Sequence, residues 1–185
     1  MATFGETATG SLGLNCEDIQ RGSVFAGFAG KALSISVLRN VYPGTKSKCA
    51  IYEGYAVGDV TGPLIASTEE IIDTTGIGNA AWITYNFTTP ITLQDKNYLL
   101  VYWQNDLDMG YGIYYTALNS GQSIGRTHVA AYTGQFQNLW GDTSYNYTRF
   151  CIYCTYDRNL DSTRSLAATI ASSARTLDSA RAISI

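Results

Sequence analysis

Residues 80–103 read AAWITYNFTTPITLQDKNYLLVYW. Over the first eight, Trp82, Thr84 and Asn86 alternate with Ile83, Tyr85 and Phe87, the period-two pattern of a strand with two unlike faces. The closing YLLVYW is apolar throughout and predicts a strand buried on both sides. Between them Pro90 cannot donate to a ladder, so TTPITLQDKN predicts a short edge piece and a turn. Two strands this close, joined by turn chemistry and no helix, set the fold class as antiparallel β.

The same grammar recurs on both sides. ALSISVLRNV (32–41) sets Leu33, Ile35 and Val37 against Ser34 and Ser36, a strand with one wet face, and Pro43–Gly44 turns the chain after it. CAIYEG (49–54), LIASTEEII (64–72, with a bend near Ser67), IYYTAL (113–118), a weaker GRTHVAAYT (125–133) and a closing RFCIYCTY (149–156) are further strands. AVGDVTGP (56–63), DTTGIGN (73–79) and QNDLDMGYG (104–112) are loops. About eight to ten short strands without a helix predict a two-sheet antiparallel β-sandwich, jelly-roll-like, over residues 1–157. Fourteen tyrosines, three tryptophans and 18 glycines suit such a fold.

The charge is mild, net −3 with 15% charged residues, which removes the basic face expected of a nucleic-acid binder. No apolar run approaches the roughly 18 residues of a membrane span. The opening MATFGETATG has neither a basic n-region nor an apolar h-region, so no signal peptide is expected. That leaves a leader already removed, or export by another route such as lysis as part of a virion.

The succession GSVF, ALSISV, KCAIYEG, GPLIASTEE, AAWITYNFTTPITLQDKNYLLVYW and RFCIYCTY resembles β-sandwich (jelly-roll-like) modules of secreted, cell-surface and viral structural or carbohydrate-binding proteins. The resemblance covers roughly residues 3–156 and rests mostly on core and turn positions. It implies a structural or ligand-binding module rather than a catalyst.

Side-chain chemistry agrees with that expectation. Cys151 and Cys154 form C-x-x-C, but on an alternating strand positions i and i+3 point to opposite faces, which disfavours one metal ion collecting both sulfurs. The four cysteines, Cys16, Cys49, Cys151 and Cys154, are packing residues or disulfide partners, with Cys16 to Cys151 or Cys154 preferred because a closing strand often lies beside an N-terminal one. Bridges would indicate an oxidising setting. His128 is the single histidine and has no nucleophile motif around it, and Glu53, Glu69 and Glu70 offer no opposed pair. No enzyme is expected. Asp106 and Asp108, beside Gln104 and Asn105 in a glycine-containing loop, make a weak calcium candidate, and no other cofactor is expected. Trp103, Tyr111, Tyr114 and Tyr115 bracket that loop, while Trp140, Tyr145 and Tyr147 crowd another. Rings beside Asp and Asn are a candidate platform for a polysaccharide or cell-surface glycan; packing in the sheet is the plainer use of the same residues.

After Asp157 the composition changes. Residues 158–185 hold no glycine, proline, aromatic or lysine. Arg158, Arg164, Arg175 and Arg181 each stand two residues before Leu160, Leu166, Leu177 and Ile183. A six-residue spacing keeps one face of a strand but spirals around a helix, and the alanines pull the other way, so strand and helix both stay open with extended structure preferred. Leu160, Leu166, Ile170, Leu177 and Ile183 have no local core to enter, which makes them candidate anchors for assembly with other copies. The expected role is a non-enzymatic structural subunit of an extracellular filament, surface layer or virion appendage, assembling as a homo-oligomer or filament through this segment. The alternative is a carbohydrate-binding module with the segment as linker.

Overall fold

The computed structural model describes residues 1–54, 62–74, 76, 78–105, 112–119, 125–138 and 144–158, without the side chains of 144–146. Within them the protein is all-β, two seven-stranded sheets whose strand pairs are antiparallel. One sheet holds β1 (Ala2–Gly5), β2 (Leu12–Leu14), β4 (Gly30–Asn40), β8 (Ala80–Leu93), β10 (Ile113–Ala117), β13 (Thr148–Phe150) and β14 (Ile152–Asp157). The other holds β3 (Ile19–Ala26), β5 (Lys46–Glu53), β6 (Leu64–Ser67), β7 (Ile71–Ile72), β9 (Asn97–Gln104), β11 (Gly125–Val129) and β12 (Ser144–Asn146). The chain changes sheet between β2 and β3, β3 and β4, β4 and β5, and again around β8, β9 and β10, so it wraps the core as a jelly roll does.

Alternation builds that core. Ile35 and Val37 of β4, Tyr85 and Phe87 of β8, and Ile152, Cys154 and Tyr156 of β14 meet Ile51 of β5 and Tyr98, Leu100 and Tyr102 of β9. Each such side chain contributes about 1.5–3 kcal/mol by leaving water. Strand β9 is buried on its other face as well: Leu99 and Val101 form a second cluster with Ala50 and Tyr52. YLLVYW is therefore apolar throughout because both of its faces are covered.

Three expectations change. TTPITLQDKN is no separate edge piece: β8 runs unbroken to Leu93, with a register shift between Ala32 and Ser34 of its partner that absorbs the extra residues around Pro90. Ser34 and Ser36 are buried rather than wet. The Ser36 hydroxyl hydrogen-bonds Thr84 at 2.9 Å, beside the ring pair Trp82–Tyr153 at 5.0 Å on strands flanking β4. RFCIYCTY breaks at Cys151 into β13 and β14.

Candidate functional site

The segment 130–138 crosses the outer face of β9 as a strap. It leaves β11 where the Ala130 amide donates to the Asp18 carbonyl (2.7 Å) and the Tyr132 amide to the Asp18 carboxylate (2.7 Å). Asp18 does this from a left-handed conformation (φ 49°), which Asp tolerates better than most residues. The Trp103 indole N–H donates to the Ala130 carbonyl (3.0 Å), Lys48 Nζ to the Gly134 carbonyl (3.2 Å), the Tyr52 hydroxyl to the Gln137 carbonyl (2.8 Å) and the Leu64 amide to the Asn138 carbonyl (2.6 Å). Tyr132 closes over Trp103 (ring centroids 4.8 Å) and Phe136 does so at 5.3 Å. The Tyr132 hydroxyl donates to Glu70 at 2.6 Å; burial first, then that bond, holds its phenol well above the ordinary range.

Between strap and sheet lies a cleft of about 610 Å³. Gln20, Trp103, His128 and Val129 line it from the sheet, and Thr133, Gln135, Phe136 and Gln137 from the strap. Register explains the sheet side. Gln20 pairs with His128 across β3 and β11, and it stands one step beyond the Arg21–Tyr102 pair of β3 and β9. Tyr102 points into the sandwich, so Gln20 and Trp103 share the opposite face. Gln20 is 2% exposed, and its Nε2 has no hydrogen-bond partner.

The sequence-predicted residues fall differently. Trp103 is buried and clamped beneath the strap, with the cleft beside it. Tyr114 and Tyr115 of β10 are half-buried, Tyr115 packing edge-on against Phe150 in the other sheet, away from Trp103. Asp106, Asp108, Tyr111, Trp140 and the anchors Leu160, Leu166, Ile170, Leu177 and Ile183 lie outside the described residues, and so does the Tyr145 side chain. Among the described residues no His, Cys, Asp and Glu cluster could hold a metal ion. Glu53 pairs with Lys96 at 3.0 Å, Glu69 accepts from the Asn86 amide and Glu70 from Tyr132.

No disulfide joins the cysteines: Cys16, Cys49, Cys151 and Cys154 are four buried free thiols. The closing strand β14 does lie beside the N-terminal β1, Cys154 opposite Phe4, but Cys16 is on neither strand; its Sγ lies beside Gly112. Cys154 enters the sandwich core, while the Cys151 Sγ accepts from the Gly10 amide at 3.1 Å. Burial pushes the Cys16 and Cys154 thiols up to about 12.

Sequence reasoning missed Gln20, Asp18 and the strap. The alternation of Gln20, Gly22 and Val24 in DIQRGSVF carried part of the signal. Comparisons with protein-family models, curated proteins and solved structures return no match. No helix among the described residues is long and apolar enough to cross a membrane.

Proposed function

We propose that this chain is a non-enzymatic structural subunit of an extracellular filament, surface layer or virion appendage, and that residues 158–185 of one copy add a strand to a sheet edge of the next. The open side of β8 carries the reading. Among the described residues β8 pairs only with β4, over residues 80–86 and 91–93 of its 14, and the other side of its backbone takes one hydrogen bond, from the Glu69 amide to the Asn86 carbonyl at 3.0 Å. Period two then turns the backbone groups of Trp82 and Thr84 the same way as those of Asn86. An unpaired edge of that length is a template for another strand unless something covers it.

The C-terminal segment supplies the complement. Its apolar anchors recur at even spacings within each half, as a strand needs to keep one face down. Its first residue, Arg158, rests over the Phe28 ring at 5.0 Å, and that ring stacks on Tyr156 of β14. The resemblance to sandwich modules of secreted, cell-surface and viral structural proteins fits the same role.

Sedimentation of the full chain, of a Leu166→Asp/Leu177→Asp variant and of residues 1–157 tests it. Concentration-dependent assembly confined to the full chain is expected. Identical monomers in all three samples refute the role, and identical oligomers move assembly to the sandwich alone.

A further inference from the structure

We infer that the cleft beneath the 130–138 strap is a binding site for a neutral carbohydrate, with Gln20 as its buried hydrogen-bonding group. This does not rest on the assembly role, since the cleft lies on the sheet that does not contain β8.

The first observation is the unpartnered amide. Gln20 is almost fully buried at the cleft, yet its Nε2 makes no hydrogen bond. A buried polar group without a partner opposes folding, and a leucine of similar size at this position would not. A group of this kind facing a cleft is provided for by whatever enters the cleft.

The second observation is the character of the walls. Phe136, half-buried over the covered ring of Trp103, gives aromatic surface, while Gln20, Thr133, Gln135 and Gln137 give amides and a hydroxyl. These groups donate and accept at once, which matches ligand hydroxyls, themselves donors and acceptors. Aromatic surface beside such groups suits the apolar C–H faces of a sugar ring. Among the described residues no Lys, Arg, Asp or Glu lines the cleft and His128 is its single titratable side chain, so a phosphate or carboxylate would find no fixed opposite charge there to offset its lost hydration. A volume of about 610 Å³ falls within the roughly 300–1,000 Å³ of small-molecule sites.

The third is rigidity. The strap is tied to Asp18, Lys48, Tyr52, Leu64 and Trp103, so the strap side of the cleft is set before a ligand arrives. A preformed wall saves the ordering cost that a mobile loop would impose on binding.

The full chain is tested on an array of neutral and acidic glycans, and the oligosaccharide retained best is titrated by calorimetry against wild type, Gln20→Leu and Gln135→Ala. Retention of neutral glycans is expected, with affinity lost by about tenfold or more in Gln20→Leu and less in Gln135→Ala. Gln20→Leu should melt no lower than wild type, because it removes an unpaired buried amide. The Gln20 side-chain amide resonance of the wild-type chain should also move on adding the sugar, which keeps the test decisive if the leucine variant fails to fold. Failure to retain any neutral glycan, retention of acidic glycans alone, or wild-type affinity in Gln20→Leu with an unmoved amide resonance would each overturn the assignment.

Discussion

Arg39 and Asp73 face each other inside the sandwich as a two-pronged ion pair, Nη1 to Oδ2 at 2.7 Å and Nη2 to Oδ1 at 2.8 Å. Their side chains are 0% and 5% exposed. The guanidinium also donates to the Tyr85 hydroxyl (2.6 Å) and the Asn40 carbonyl (2.9 Å), and it lies within 6 Å of the Tyr85 and Tyr102 rings. Alternation after Ile35 and Val37 turns Arg39 inward, so its charge must be met within the core.

Removing one partner should therefore cost far more than removing both. Asp73→Asn is expected to lower stability by about 3–5 kcal/mol in urea unfolding, because it strands a buried cation. Arg39→Met/Asp73→Leu should recover most of that loss. A cost below about 1 kcal/mol for Asp73→Asn would mean the pair behaves like a solvent-screened one.

Alkaline pH should destabilise the fold. The Cys16 and Cys154 thiols ordinarily ionise near 9.0, and burial raises both to about 12 in the folded chain. Below pH 9 folded and unfolded states both hold these protons, and stability is at its full value. As pH rises from 9 toward 12 the unfolded state alone releases them, so stability falls, by up to about 1.4 kcal/mol per pH unit for each thiol. Urea midpoints measured across that interval check the slope, and a flat profile contradicts it. In the same chain, native thiols should resist alkylation at neutral pH and react once urea is added.

Trp103 separates a packing ring from a ligand ring. Trp103→Ala should cost about 3–5 kcal/mol, since it empties the space under Tyr132 and Phe136. Trp103→Phe keeps a ring but loses the bond to the Ala130 carbonyl, at about 1 kcal/mol, and should speed proteolysis within residues 130–138. Calorimetric melting and peptide mapping report both; an Ala variant that melts like wild type would place the ring outside the packing.

The sheet edge gives the fourth expectation. Thr84→Lys puts a charge at an exposed position of the edge strand β8, a substitution that blunts edges against pairing. It breaks the bond to Ser36, so stability should fall by no more than about 1 kcal/mol, while assembly seen by light scattering should disappear. Unchanged scattering would clear β8 of a role in subunit contact.

How far these features can be read without coordinates depends on where each residue finds its partner. Ile83, Tyr85 and Phe87 announce their face because alternation is local and every member of the row enters the same core. The strap announces nothing of the kind. Its rings Tyr132 and Phe136 obey no period, and their supports, Asp18, Lys48 and Glu70, lie far upstream. Gln20 could be assigned to one side of β3 by parity, but the identity of that side as a cleft depends on β9 and β11 arriving from distant sequence. Pro90 misleads for the opposite reason, since its local rule is correct and the chain obeys it by bulging β8 itself, residues 87–90 pairing with nothing on β4.

The pairing of β1 with β14 sets Ala2 opposite Tyr156 and Phe4 opposite Cys154. During synthesis the first strand therefore leaves the ribosome with no partner, and it stays exposed until nearly the whole sandwich has followed. Every intermediate length of chain lacks one edge of its sheet, and loops between distant strands must close before their contacts repay the entropy. Folding should accordingly be slow and all-or-none, completed only when Asp157 has emerged. Because β1 lies beside the strand that ends the sandwich, a short linker from Asp157 to Ala2 with new ends opened in an exposed turn such as Pro43–Gly44 should yield a circular permutant with the same two sheets.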